Sequence, residues 1–218
     1  MRTGSDQTLL IVVRGNSGAG KSSVAMALRS ACACRLAWVS QDLLRRTILK
    51  EKDRPGAANV GLIDQVARYS LDHGYHVVLD GILNADHYGQ MLAGLRRDHR
   101  GRSFFYYLDV SLAETLSRHG SRPQATEFGP DDMRAWYRPR DLLATVGEQV
   151  IPEASTLRQT TARILADTGL AELFLPPDPR CRHGPAQEVA SSSGVSGLST
   201  QNSLPSGSAM TTQPTSSF

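Results

Sequence analysis

The sequence predicts a three-layer α/β fold: a central parallel sheet, helices on both faces and a small lid. Two observations carry this. Short, unbroken apolar runs alternate with segments of helical period, and strands buried on both faces read as such runs. The first of these runs, Thr8–Arg14, also leads into a glycine-rich turn and then a helix-like segment. The 218 residues, 40% of them hydrophobic, are enough for one core with appendages.

The elements follow in order. Thr8–Arg14 is β-branched and apolar and reads as the first strand, and Lys21–Ala31 as the first helix. Arg35–Val39 is a short strand, followed by a helix from about Asp42. Gly61–His73 has helical periodicity, and Tyr75–Leu79 is a compact apolar strand. Asp86–Arg97 reads as a helix, Phe104–Val110 as a strand and Leu112–His119 as a helix. Gln149–Ile151 makes a last short strand. Ser155–Thr168 closes the domain as a helix, with Ser155 as its cap and Leu157, Thr161, Ile164 and Leu165 on one face.

Composition shifts after about Leu175. Pro176, Pro177 and Pro179 break any helix, and residues 190–218 carry no Asp, Glu, Lys or Arg. The expected organisation is a domain over residues 1–175 with a lid at about 119–132, then a disordered tail rich in Ser, Thr, Gly and Pro over 176–218. The formal charge of +3 is too mild to imply nucleic-acid binding without a concentrated basic patch. Arg96–Arg102 is basic but short, and reads as a helix end and a solubilising cluster. The apolar run Leu9–Val13 is too short for a signal-peptide core or a membrane span, so a soluble, cytoplasmic protein is expected. Cys32, Cys34 and Cys181 read as plain thiols, and the six histidines show no metal spacing.

The sharpest signal is Gly15-Asn16-Ser17-Gly18-Ala19-Gly20-Lys21-Ser22, which fits G-x-x-x-x-G-K-[ST] without mismatch. The glycines let the backbone curl so that successive N–H groups face phosphate oxygens. Lys21 supplies charge to the β- and γ-phosphates, the Ser22 hydroxyl can ligate Mg²⁺, and the helix start adds its positive end. The loop, with Ser23 behind it, is the expected nucleotide site of a P-loop NTPase fold. No Asn-Lys-x-Asp sequence is present to read guanine, so ATP is the expected nucleotide.

Two carboxylates follow from strand ends. Asp80 closes the run Tyr75–Leu79 and is expected near the metal, with Ser22. Asp42 lies beyond the second strand, where a carboxylate can bind a substrate hydroxyl and take its proton; it can equally cap a helix. Arg45 can bind an anionic acceptor, whereas Arg46 reads as part of a solvated face.

Asp42-Leu43-Leu44-Arg45 resembles the acceptor-side segment of adenylate-kinase-type proteins, and Leu79-Asp80-Gly81 resembles their metal-side strand end. Arg118 and Arg122, four apart, look like the arginines that open the lid of those kinases. By that resemblance Arg118 packs on the adenine and Arg122 contacts phosphates as a catalytic residue. Glu127–Asp132 belongs to the lid, and Arg138 or Arg140 closes over the γ-phosphate. Nucleoside-monophosphate kinases continue from Asp-Gly with an aromatic, a proline and an arginine, where this chain has Ile82-Leu83-Asn84. The layout is closer to gluconate and shikimate kinases, zeta-toxin-type kinases and chloramphenicol- and tunicamycin-resistance phosphotransferases. The resemblance implies ATP-dependent transfer to a hydroxyl of a small molecule such as a sugar, nucleoside or antibiotic. A nucleoside or nucleotide kinase and an ATP-binding regulator with little catalysis stay open beside it. The sequence names neither the acceptor nor the oligomeric state.

Overall fold

A computed structural model describes residues 2–32, 35–119 and 129–170. Five parallel strands form one sheet: β1 Leu9–Gly15, β2 Leu36–Ser40, β3 His76–Asp80, β4 Arg102–Asp109 and β5 Gln149–Pro152, in the order β2-β3-β1-β4-β5. β1 is central, with Val13 opposite Asp80 on β3 and Gly15 opposite Leu108 on β4. Its residue-by-residue alternation builds two cores. Leu9, Ile11 and Val13 face α1 (Lys21–Ala31) and α6 (Leu157–Thr168), against Val24, Leu28 and Ile164. Leu10 and Val12 face α2 (Ala58–Asp72) and α3 (Ala85–Asp98), against Ile63, Leu71, Leu92 and Leu95. Each such buried aliphatic contributes about 1.5–3 kcal/mol against unfolding. Two helical layers around a parallel sheet are the three-layer fold the sequence predicts.

Several local readings change. The segment after β2 is one π-helical stretch, Leu43–Ile48, with Asp42 at its start. The α6 cap is Thr156, not Ser155: Thr156 Oγ1 accepts from Gln159 N at 3.2 Å, and Gln159 Oε1 accepts from Thr156 N at 2.9 Å. This reciprocal box outcompetes Ser155, whose hydroxyl instead meets Thr160 Oγ1 at 2.8 Å. The buried face of α6 is therefore Thr160, Ile164 and Thr168, and Leu157 is exposed. α4 (Leu112–His119) stands where the sequence places a helix, and beyond the expected elements lie α5 (Pro130–Trp136) and a 3₁₀ turn at Ala144–Val146. Pro130 sits in the first turn of α5, where its missing N–H costs nothing, and Asp132 Oδ2 accepts from Gly129 N at 2.9 Å. The expected tail and most of the expected lid, including Arg122 and Glu127, fall outside the described residues.

Candidate nucleotide and phosphoryl-transfer site

The site grows from the carboxyl ends of β1 and β3. The loop after β1 must turn sharply and admit a ligand to its backbone. Gly18 has φ 86°, and a Cβ there would lie 2.8 Å from Thr115 O of α4. A side chain would therefore be both strained and obstructed. The loop ends at Gly20, φ 98°, and α1 begins at Lys21 with no side-chain cap. A helix start without a capping side chain leaves its first-turn N–H groups to an anion. Lys21 is buried and its Nζ donates to Asn16 O at 2.8 Å, so its charge is held against the loop.

Ser22 Oγ donates to Asp80 Oδ2 at 2.6 Å. Asp80 is 2% exposed, and its other oxygen, Oδ1, accepts from Trp38 Nε1 at 2.6 Å. A hydroxyl and a carboxylate oxygen side by side at the phosphate loop are hard oxygen donors that fit Mg²⁺, which binds through one or two carboxylates plus phosphates and water. Among the described residues no group of three or more His, Cys, Asp or Glu forms a metal cage. A cation here would thus depend on the nucleotide for the rest of its ligands.

Two clefts flank the loop. One, about 330 Å³, is lined by Ser17, Gly18, Lys21, Ser22, Asp80, Gly81, Asp42 and Arg46, with Met26, Ile82 and His119. It brings together the residues expected to hold phosphate, metal and acceptor. The Asp42 side chain is 60% exposed and accepts from Arg45 Nη2 at 3.1 Å. Arg45 is not part of the cleft lining: beside Asp42, it donates to Glu51 O at 3.3 Å. Arg46, read from sequence as a solvated face, lines the cleft instead. The π-helical winding explains the exchange, because it rotates successive side chains by less than an α-helix does. The second cleft, about 350 Å³, lies between Ala19, Gly20 and Ser23 of the loop and the turn after β5. Val24, Leu108, Val110 and Ile151 give it an apolar floor, and Arg118 forms part of its wall. Arg118 is held by Glu114 Oε1 at 2.7 Å and donates to Ala19 O at 3.4 Å.

Residues 138–148 strap this site together. Asn16 accepts from Arg138 N at 2.9 Å and donates to Arg138 O at 2.8 Å. Arg138 then pairs with Asp86 in the first turn of α3, a hydrogen bond that holds its guanidinium above the ordinary arginine range. Arg140 pairs with Asp109 at 3.2 Å. Arg14, the residue before the loop, is fully buried. It donates to both oxygens of Glu148 at 2.9 Å, to Asp141 at 3.0 Å and to Leu83 O at 2.9 Å. Tyr107 lies under its guanidinium, 5.7 Å away, and burial pushes the Tyr107 hydroxyl up in pKa, so it stays protonated. Asp141 also accepts from Ala85 N at 2.8 Å, tying the strap to the start of α3. Gln41, likewise buried, accepts from Leu83 N at 3.2 Å and packs against Gly81, where a Cβ would lie 2.5 Å from its Oε1.

Sequence reasoning missed Trp38, Arg14 and Gln41. The sequence carries no signal for Trp38: only the register of β2 on β3, which sets Ser40 opposite Asp80, shows that Trp38, two residues before Ser40, shares the face that reaches this carboxylate.

A glycine-rich loop between a central strand and its helix, with a Ser–Asp pair at its side, defines a P-loop nucleotide-binding protein. Residues 10–139 match the sequence profile of a family described as an AAA domain, and the chain belongs to that family. Comparison with curated proteins gives no match. The fold is similar to that of the Mycobacterium tuberculosis APS kinase solved with AMPPNP and APS (17% identity, TM-score 0.55, covering 79% of this chain and 99% of that one). It is similar also to a gluconokinase from Sinorhizobium meliloti 1021 (21% identity, TM-score 0.52, 78% and 94% covered). A third similar structure is a sugar kinase from Janibacter sp. HTCC2649 (17% identity, TM-score 0.54, 75% and 96% covered). The fold is that of the P-loop small-molecule kinases. Among the described residues no helix is long and apolar enough to cross a membrane.

Proposed function

We propose that the protein is a cytoplasmic ATP-dependent kinase that transfers the γ-phosphate to a hydroxyl of a small molecule. The observation that carries this reading is that Asp42 shares one cleft with Lys21, Ser22 and Asp80. A carboxylate facing the phosphate loop is what a hydroxyl acceptor needs and what a simple nucleotide sensor does not. The kinases of similar fold support the reaction class.

The residues divide the work. The loop amides and Lys21 hold the phosphates and neutralise charge on the transferring group. Arg118 and the apolar floor of the second cleft take the base. Ser22 and Asp80 would hold Mg²⁺, which screens the β- and γ-phosphate oxygens when bound. Asp42 orients the acceptor hydroxyl and takes its proton as the acceptor oxygen bonds to the γ-phosphorus. The bond from the γ-phosphorus to the bridging oxygen breaks, and ADP leaves. Arg46, on the cleft wall, is placed to meet an anionic group on the acceptor or the transferring phosphoryl. Arg122, by resemblance, completes the phosphate contacts.

The test is mass-detected transfer from Mg-ATP to a mixed library of sugars, nucleosides, nucleoside monophosphates and hydroxylated antibiotics. A product heavier by one phosphate, absent with Lys21→Ala, supports the reading and names the acceptor class. Saturable ATP binding with no product from any class favours the regulator instead.

A further inference from the structure

Trp38 lies on β2 with its backbone opposite Val78, while Ser40, two residues on, is opposite Asp80. Its half-buried indole therefore reaches diagonally along the same face to the metal-side carboxylate, a separation that long side chains span. The Nε1–H donates to Asp80 Oδ1 at 2.6 Å, and an indole nitrogen can only donate. The ring is held on its other side by the Arg29 guanidinium, 5.9 Å from the ring centre. Oδ1 is thus occupied by a fixed, charge-assisted hydrogen bond. Oδ2 is the oxygen turned to Ser22, 2.6 Å away.

We propose that Trp38 is a positioning residue that makes Asp80 a one-oxygen ligand, and thereby selects Mg²⁺ over Ca²⁺ at this site. Mg²⁺ takes single oxygens in a small octahedron, whereas Ca²⁺ accepts both oxygens of one carboxylate in a larger, looser shell. An N–H fixed on Oδ1 takes one of that oxygen's two lone pairs, which disfavours the second arrangement and pre-orients the first. Partners of this kind, which hold a ligand from behind, are commonly worth 10–100-fold in metal affinity. The proposal rests on the reading of Ser22 and Asp80 as the metal-side pair, and its test separates the two.

The experiment measures AMPPNP binding by the full chain, by calorimetry, across series of MgCl₂ or CaCl₂. Trp38→Phe keeps an aromatic ring and removes the donor. The Mg²⁺ needed for half-maximal binding should rise about tenfold, the Ca²⁺ requirement should not rise, and binding in EDTA should be unchanged. Equal weakening for both metals, or no change for either, overturns the proposal, because a merely structural tryptophan would not move the ratio. Asp80→Asn should abolish the dependence on Mg²⁺; if the dependence survives, the metal-side reading itself falls, and the Trp38 proposal with it. A second measurement needs no change at position 38. Trp136→Phe leaves Trp38 as the sole tryptophan of the chain, which has 2. Its emission should shift with Mg²⁺ and AMPPNP together, and not with AMPPNP in EDTA. An emission that ignores Mg²⁺ overturns the proposal even where Trp38→Phe fails to fold.

Discussion

Replacing Arg14 with Met should be among the most damaging single changes outside the phosphate loop. The guanidinium is fully buried and satisfies Glu148, itself 2% exposed, Asp141 at 17%, and the carbonyl of Leu83. Met keeps the unbranched apolar stem but stops short of the guanidinium, so only the packing of the stem is kept. What is lost is the charge that two carboxylates were folded around. Removing one partner of a buried pair leaves an uncompensated charge and costs about 3–5 kcal/mol. For a domain of this size that is about 2–4 °C in Tm per kcal/mol, or roughly 6–20 °C. Urea denaturation followed by circular dichroism measures it. The double change Arg14→Met with Glu148→Gln should recover part of the loss, because the stranded carboxylate is gone. A single-variant loss under about 1 kcal/mol, the size of an exposed pair, would refute the reasoning. So would a double variant whose two losses simply add.

Four further outcomes are expected. Lys21→Ala should lower phosphoryl transfer by at least about 100-fold, as loss of a charge at the transferring group does, measured by product formation at saturating nucleotide. Gly81→Ala forces a methyl to within 2.6 Å of Gln41 Cβ and 2.9 Å of Leu83 Cγ, and should cost about 1–3 kcal/mol in chemical denaturation. Acid should weaken the fold as pH falls below about 6.5, because burial lowers the pKa of His76 and of His99 from that value. Their neutral forms are the folded ones, so this stability is complete above 6.5 and lost as pH falls through the depressed values. His99→Gln should flatten the decline in a pH series of melting curves. Cys32, whose thiol burial pushes up to about 12, should resist alkylation at pH 8 in the native protein and react on unfolding, read by peptide mass mapping.

The fold was legible because its signals are local. The run Leu9–Val13, the loop Gly15–Ser22 and the helix Lys21–Ala31 state strand, turn and helix within a short stretch, and the structure keeps them in place. Asp80 was equally legible as a strand-end carboxylate. What stayed hidden depends on partners far along the chain. Arg14 reads as an ordinary strand end until Asp141 and Glu148, 127 and 134 residues away, are folded around it. Trp38 looks like a core aromatic until the sheet register brings Asp80 beside it. The exchange between Arg45 and Arg46 turns on π-helical winding, which apolar periodicity does not announce because Leu44 is the buried residue of that segment. The Ser155 reading failed for a simpler reason: two hydroxyls compete for one helix start, and Gln159 decides in favour of Thr156.

The most direct test of the account is Asp42→Asn, assayed for nucleotide affinity and for transfer to whichever acceptor the library identifies. Asn keeps the shape and the hydrogen bond to a hydroxyl, and removes the capacity to take its proton. The predicted result is nucleotide binding unchanged from the parent chain, with transfer reduced by about 10²–10⁴, the usual contribution of a general base. Transfer at the parent rate would contradict the account, and would place the acceptor and its proton elsewhere than in the cleft that Asp42 shares with Lys21.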